Sequence, residues 1–583
     1  MLYTLVVWTI LIFVCPAIGI AVLNWLKADC FDRRSDRLMI AVWLGTIALS
    51  ISLLAISLVV PLSPLVGGTV AIALVALSLG SRQARREIFS FQSLLSLKLI
   101  TGCLAVEIIV AALTTQQINW FDTGLYHLGS IQWLSQFGAV PGLALIHSRF
   151  GFTSSWFAFS APLTPQFLGD RIGAITNGFV FLIYVFYFLI CLRRGISKNL
   201  RLSDCFFIFF SGVIIGAYTL SAFLKESILV SFSPDVPITF LVGITAWSIL
   251  VISNYRRSPL AEENTSYLDA YLIPLILSVG AVSIKLSALP LLAIGFLFYI
   301  FGKKLAIERV FVGVILVAIA LLPNALFSIT TSGCPFYPSQ FMCVDLPWSV
   351  PEQTIANETS KITGLDVPSG SDNFLLAALQ KRFAWIKSSI KLQIMLLLFV
   401  TSLILSIWML VISRSSKFIK TRGGDWIIAL GILGTSFIYT KIPLLRFAMG
   451  YLIAIPALFL AKYYLVREEK NFILSHFFKI IELARVKQFT RLGAIGLAVV
   501  SVAIAGGQSR LVFPSKLPSF DLIYAKINDV EYTYPANWTN KCWITKLPCS
   551  EVEIKNDIKL RDPAKGIGAG FIRNEPKNSE IER

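Results

Sequence analysis

Long apolar runs set the strongest limit on how this chain can fold. Runs of about 16 to 23 apolar residues recur along the sequence and are separated by short charged or polar segments. A helix of that length crosses a hydrocarbon layer about 30 Å thick. Hydrophobic residues make up 56% of the chain and charged residues only 14%, which is more apolar surface than a soluble fold can bury. We therefore predict an all-α polytopic membrane protein with about fourteen transmembrane helices.

The predicted spans are separated by connections of very different length. The two spans with the shortest connection form a tight pair on either side of Lys285. The fourteen spans cover residues 2–23, 38–60, 64–80, 98–115, 174–192, 204–222, 237–253, 268–284, 286–301, 309–326, 391–412, 425–440, 448–464 and 492–507.

Basic residues predict the orientation of these spans. They cluster in alternate connections, which would all lie on one face of the membrane, and the positive-inside rule makes that face cytoplasmic. Both termini are then extracytoplasmic. The same clustering argues against a nucleic-acid partner, despite a formal charge of +18. The clusters are Arg33/Arg34/Arg37, Arg82/Arg85/Arg86, Arg193/Arg194/Lys198/Arg201, Arg256/Arg257, Lys303/Lys304/Arg309, Arg414/Lys417/Lys420/Arg422, and Arg467/Lys470 through Arg491.

Cysteine positions agree with that orientation. Cys334 and Cys343 share one predicted outer loop, and Cys542 and Cys549 share the C-terminal segment. Even pairs at short spacing in an oxidising compartment predict two disulfides, and unpaired thiols are the alternative. A zinc site is disfavoured because neither spacing fits one and no histidine is nearby.

Six segments follow from the topology. The outer ones are large enough to carry chemistry, and the last is predicted to be a small β-rich extracytoplasmic domain. The segments are 1–115 (four spans), 116–173 (an outer loop with membrane-surface helices), 174–326 (six spans), 327–390 (an outer loop), 391–507 (four spans) and 508–583 (the small domain).

Asp122 is the leading candidate for a catalytic residue. It lies where the chain leaves the fourth predicted span, and residues 123–137 after it have the spacing of an amphipathic helix at the membrane surface. A carboxylate at the edge of hydrocarbon is a good general base because burial raises its pKa. Helix capping is the alternative, since Asp is favoured at an N-cap position. His127 follows on the same helix as a weaker candidate.

Cations and further polar residues on the predicted outer face are candidates for substrate binding. Lys285 interrupts an apolar stretch of over thirty residues, and an ionisable group at such a position is a functional hypothesis by default. A lysine that snorkels from a hairpin turn is the alternative. The remaining candidates are His147, Arg149, Asp235, Lys441 and Arg446, each with an ordinary loop, turn or interfacial role as its alternative.

Several stretches resemble a known group of proteins. Residues 122–127, 147–150, 233–235, 285–290 and 334–338 are similar to an uncharacterised family of bacterial polytopic membrane proteins. That family in turn resembles the GT-C glycosyltransferases, which take a sugar from a polyprenyl-phosphate carrier and have an acidic residue in the first large outer loop. Two features differ from that group: four spans precede the acidic loop, and the usual pair of acids is Asp122 followed by Thr123.

The resemblance implies a GT-C-type glycosyltransferase of the bacterial inner membrane. It would move a sugar with inversion from a polyprenyl-phosphate carrier to a glycan, lipid or protein acceptor of the envelope. We expect no cofactor, and the sequence does not support a divalent metal ion. A polytopic transporter or flippase, and a polymerase or ligase of the O-antigen type, are the alternatives. The sparse arginines of the outer loops argue mildly against the second.

Overall fold

The computed structural model describes most of the chain. It covers residues 1–91, 96–197, 199–224, 227–255, 267–303, 305–363, 389–412, 422–466, 486–537, 541–554 and 558–574, with the backbone alone at 391, 410, 412, 466 and 486–492. The predicted basic residues that lie outside the described residues are Lys198, Arg256, Arg257, Lys304, Arg414, Lys417, Lys420, Arg467 and Lys470.

The described part of the chain is mostly helical, as the apolar runs predicted. The helices are α1 (Leu2–Trp25), α2 (Arg34–Ser57), α3 (Pro64–Gly80), α4 (Arg82–Ser90), α5 (Leu97–Thr114), α6 (Leu128–Gln136), α7 (Leu143–Ile146), α8 (Ser155–Ser160), α9 (Ile175–Ile196), α10 (Leu202–Phe223), α11 (Asp235–Asn254), α12 (Leu272–Ile284), α13 (Leu289–Phe301), α14 (Ile307–Ser332), α15 (Glu352–Thr363), α16 (Ile390–Ile412), α17 (Gly424–Lys441), α18 (Leu445–Val466) and α19 (Val486–Gly507).

A helix occupies each of the fourteen segments predicted to span the membrane. Among the described residues, nine helices are long and apolar enough to cross a bilayer, or ten if the bent pair α3 and α4 forms one span. The helices α12 and α13 have 13 residues each, so each is about 20 Å long. That length is less than a bilayer core needs.

The helices α12 and α13 form an antiparallel hairpin with Lys285 at its tip. The rings of Tyr271 and Phe298 stack near the open end, and Gly302 lies against Tyr271. Nearer the middle, Gly295 approaches the side chain of Ser278 so closely that a Cβ would lie 2.4 Å from its hydroxyl. The residues of the tip therefore lie far from the open end, where the hairpin joins the rest of the chain.

Basic residues collect at one end of the helical bundle, which we call the basic end. Arg33 bonds Asp204 at 2.6 Å, and Arg201 bonds Asp32 at 2.7 Å. The open end of the α12–α13 hairpin lies at this end too, where Lys303 approaches Asp269 to 2.6 Å. Where they are described, the clusters that the sequence placed on one membrane face therefore share one end of the bundle.

The opposite end, which we call the loop end, carries the long connections and the tail. The backbone of Leu2 bonds Leu511 at 2.8 Å, so the start of α1 and the end of α19 lie together. The tail contains two small antiparallel sheets, β1 (Leu522–Ile527) with β2 (Val530–Pro535), and β3 (Ile558–Leu560) with β4 (Phe571–Arg573). Both predicted disulfides, Cys334–Cys343 and Cys542–Cys549, are present at this end.

The tail packs onto the first long loop. Gln132 donates to the carbonyl of Thr545 at 2.7 Å, and the ring of Phe571 contacts Trp133 edge-on. The helix predicted over 123–137 forms as a π-helical turn at Thr123–His127 followed by α6. Helix α8, residues 161–163 and the tail pack on this helix, so most of it is buried within the protein, whereas the sequence had placed it along the membrane surface.

Gly124 makes a close contact between the first long loop and the tail. The backbone N–H of Trp543 donates to the Gly124 carbonyl at 3.0 Å, and a Cβ on Gly124 would lie 2.6 Å from the indole. Since real Cβ atoms do not approach that closely, any larger residue must displace the tail.

We expect Gly124→Ala to lower the free energy of unfolding by about 1–3 kcal/mol, the usual cost of overpacking. Thermal unfolding of the purified protein in detergent measures this. Gly68→Ala on α3 is the matched control, because a Cβ there meets nothing within 4 Å. Adding Trp543→Leu to the Gly124→Ala variant should restore part of the loss. Equal unfolding temperatures for Gly124→Ala and Gly68→Ala would contradict the packing.

Candidate functional site

Seven charged side chains form a continuous chain of alternating ion pairs at the loop end, which we call the ionic chain. Four are basic and three acidic, so the group carries one net positive charge when all are ionised. In order they are Lys361, Glu358, Arg149, Asp122, Arg446, Asp235 and Lys285. Residues from five separate segments therefore meet at one place.

Asp122 lies at the centre of this chain. One of its oxygens is 2.9 Å from a guanidinium nitrogen of Arg446, and the other is 3.4 Å from Arg149. The backbone of Asp122 is helical, and its side chain caps no N–H group. Of the two roles left open by the sequence, capping is therefore wrong, because both carboxylate oxygens face arginines instead.

Local structure presents each partner at a break in a helix. Asp235 is the first residue of α11, directly after Pro234, and its side chain is 3% exposed. Lys285 lies at the tip of the α12–α13 hairpin and bonds Asp235 directly. Arg446 is in the first turn of α18, and its Nε is 3.4 Å from the second oxygen of Asp235. Because these residues lie at helix ends, their charged groups can pair with one another and do not have to be buried among apolar side chains or lipid.

Aromatic rings cover the cations. The Lys285 ammonium lies 3.7 Å from the centre of the Phe447 ring, and the Arg446 guanidinium lies 5.0 Å from the same ring. Trp120 covers Arg446 from another side at 5.3 Å, and Tyr126 lies 5.8 Å from Arg149. Such contacts stabilise a cation without neutralising it. The cations can therefore still bind an anion.

Glu358 is a member of the ionic chain that was not among the residues predicted from the sequence. It is 1% exposed, its Oε1 bonds Lys361 at 2.7 Å, and its Oε2 lies 3.7 Å from Arg149. A signal was present: Ile355 and Glu358 are three residues apart, so they share one face of α15, and both are buried there. An acidic residue on the buried face of a short polar helix indicates a partner in the core.

The two predicted histidines lie beside the ionic chain and are fully buried. His127 bonds the Thr123 hydroxyl at 3.0 Å through Nδ1, and its ring packs on Phe157. His147 accepts the backbone N–H of Arg149 at 3.2 Å, which fixes the start of the turn that carries this arginine. Burial lowers the pKa of His127 well below its ordinary value and the pKa of His147 to about 3, so both rings are neutral.

Lys441 is the predicted binding residue that stays apart. It is exposed at the C-terminal end of α17 and forms no ion pair with any residue that the structure describes.

Metal ligands are not brought together in the described part of the chain. No three side chains among its histidines, cysteines, aspartates and glutamates lie close enough to hold one ion. At the ionic chain, the guanidinium of Arg446 lies between the two carboxylates of Asp122 and Asp235. An arginine side chain, and not a metal ligand, therefore lies between these two acids.

Residues 1–453 match the model of a family described as a domain of unknown function, DUF8201. The chain belongs to this family. The DUF8201 match includes all seven residues of the ionic chain, while the tail with Cys542 and Cys549 lies beyond it. No curated protein and no solved structure matches the chain.

His147 should make the protein less stable in acid. An unfolded histidine takes up a proton as the pH falls below 6.5, whereas the folded ring stays neutral down to about pH 3. The unfolded state therefore binds more protons in that window, and the free energy of unfolding falls by up to about 1.4 kcal/mol per pH unit.

The variant His147→Gln keeps an acceptor for the Arg149 N–H but cannot titrate. Between pH 6.5 and about pH 5, we expect its unfolding temperature in detergent to depend less steeply on pH than that of the wild type. At pH 8 the two slopes should coincide, because neither protein titrates this site there. An unchanged acid slope would show that His147 is accessible to protons in the folded protein.

Proposed function

We propose that this protein is a membrane glycosyltransferase of GT-C type, which moves a sugar from a polyprenyl-phosphate carrier to an envelope acceptor. One observation carries the proposal: Asp122 lies directly between cations from distant segments at the loop end of the bundle. The proposal makes the loop end the outer face of a bacterial inner membrane, with about fourteen spans and both termini outside. The positive-inside rule supports this orientation.

The reaction needs a base near the anomeric carbon. In an inverting transfer, an oxygen of the acceptor hydroxyl attacks that carbon while the bond from the carbon to the phosphate oxygen breaks. The electron pair of the broken bond stays on the phosphate, and the hydroxyl proton passes to a carboxylate. Asp122 is our assignment for this base, because it is 15% exposed while Asp235 is almost fully buried.

The leaving phosphate needs positive charge. Arg149 and Arg446 flank Asp122. Lys285 pairs with Asp235, the other carboxylate that Arg446 contacts. A phosphate oxygen would compete with the carboxylates for the same N–H groups, and guanidinium groups bind phosphate with two parallel bonds. The net positive charge of the ionic chain favours such an anion. His127 and His147, being neutral, hold the loop in place and add no charge.

Asp122→Asn should reduce transfer by about a hundredfold or more, since a general base contributes on that order. Transfer is measured in membranes supplied with radiolabelled polyprenyl-phosphate sugars. Asp345→Asn is the matched control, because this acid lies at the same end and is 93% exposed. Detergent gel filtration checks that both variants fold. Unchanged turnover in a folded Asp122→Asn variant would exclude Asp122 as the base.

The arginines of the ionic chain favour a second candidate, a polymerase or ligase of the O-antigen type. The sequence had weighed against this function because outer arginines are sparse, yet two of them converge here. Arg446→Lys separates the candidates when it is compared with Asp122→Asn. We expect both to lose transfer, and Arg573→Lys at the surface to retain it. Transfer that survives Asp122→Asn but is lost in Arg446→Lys would favour the second candidate.

A further inference from the structure

A polar groove opens beside the ionic chain at the loop end. It encloses about 420 Å³, within the usual range for sites that bind small molecules. Its walls come from the segment after α5, the loop before α9, the end of α10 with the segment that follows it, and the junction of α19 with the tail. No residue of the ionic chain lines it.

Hydrogen bonds between these segments fix the shape of the groove. Arg171 donates to the carbonyl of Ser509 at 3.0 Å, and Gln117 donates to that of Lys516 at 3.2 Å. The backbone of Ser515 bonds Thr115 at 3.3 Å. Because three distant segments are joined in this way, the groove is formed before any ligand arrives, which lowers the entropy lost on binding.

The lining is rich in groups that bind hydroxyls. Amide side chains supply donors and acceptors in one plane, which suits neighbouring hydroxyls on a sugar ring. Only two of the described lining residues, Ala222 and Val230, are apolar, so a polyprenyl chain has little to bind there. Arg171 and Lys516 add positive charge, and none of the described lining residues is acidic. Lys516 already lies 3.8 Å from the exposed Asp170 outside the lining, so an acidic ligand would compete with that carboxylate. The amides are Gln116, Gln117, Asn119 and Gln508.

The groove lies close to the proposed base. Asn119 lines it and precedes Asp122 by three residues, so their backbones are at most about 11 Å apart. Trp120 follows Asn119 directly, and its ring covers Arg446 of the ionic chain. A ligand in the groove could therefore extend a hydroxyl towards Asp122 while the lipid phosphate lies on the cations.

We infer that this groove binds the acceptor, and that the acceptor is a saccharide carrying an acidic group. The amides would bind ring hydroxyls, and Lys516, whose side chain is 63% exposed, would bind the acidic group. This inference rests on the proposed function, since it names the second substrate of the same reaction. The ionic chain alone does not indicate this class of substrate.

Calorimetric titration of the full chain in detergent tests the inference with three probes. Glucuronic acid carries both hydroxyls and a carboxylate, glucose lacks the carboxylate, and inorganic phosphate lacks the ring. We expect glucuronic acid to bind most tightly. Lys516→Gln should weaken its binding about 1.5- to fivefold, the range for an exposed ion pair. Lys526→Gln is the matched control, since that lysine is 61% exposed on the β1–β2 hairpin and does not line the groove.

Gln116→Ala separates sugar recognition from charge. It should weaken glucose and glucuronic acid alike and leave phosphate unchanged. Tightest binding of phosphate, no measurable binding of glucuronic acid, or equal effects of Lys516→Gln and Lys526→Gln would each overturn the inference. The proposed reaction is tested separately, because Asp122→Asn should abolish transfer but retain glucuronic acid binding. Transfer that persists in that variant, with binding intact, would count against the reaction and not the groove.

Discussion

The pairing of Arg446 with two carboxylates holds the loop end of the bundle together. Asp122 and Asp235 come from different segments, and burying either charge unpaired would cost several kcal/mol. Arg446 contacts both at once, and Lys285 bonds the second acid. The first outer loop, the start of α11, the α12–α13 hairpin and the start of α18 are thereby fixed to one another. Any substrate that binds these cations must compete with the acids that already hold them.

The two ends of the bundle use charge for different purposes. At the basic end, ion pairs such as Arg194 with the buried Asp204 join helix ends, and basic residues are in excess on the described surface. At the loop end the cations are arranged around Asp122 and covered by aromatic rings. The ion pairs at the basic end join helix ends, whereas the pattern at the loop end concentrates charge at one point. The tail adds to the pattern at the loop end, because Trp543 presses on the turn that follows Asp122.

Apolar runs predicted the helices well, because the need to satisfy backbone groups in lipid leaves few alternatives. Asp122, Lys285 and Arg446 were named from their positions at predicted membrane edges, and Arg149 and Asp235 as polar residues of predicted outer loops. Their pairing was not predictable, since it depends on how distant helices pack. Glu358 was missed because it lies in a polar segment without an apolar run. The burial of α6 was missed because α8 and the tail cover it, and this packing depends on the whole fold and not on the local sequence.

Labelling of a cysteine beside Asp122 tests the central claim most directly. Phe121 is 52% exposed, so Phe121→Cys can react with a membrane-impermeant thiol reagent in a background without the five cysteines outside the disulfides. We expect labelling from the outside of intact cells, and slower labelling of the purified protein when polyprenyl phosphate is added. Labelling only after the membrane is permeabilised would contradict both the orientation and the proposed site.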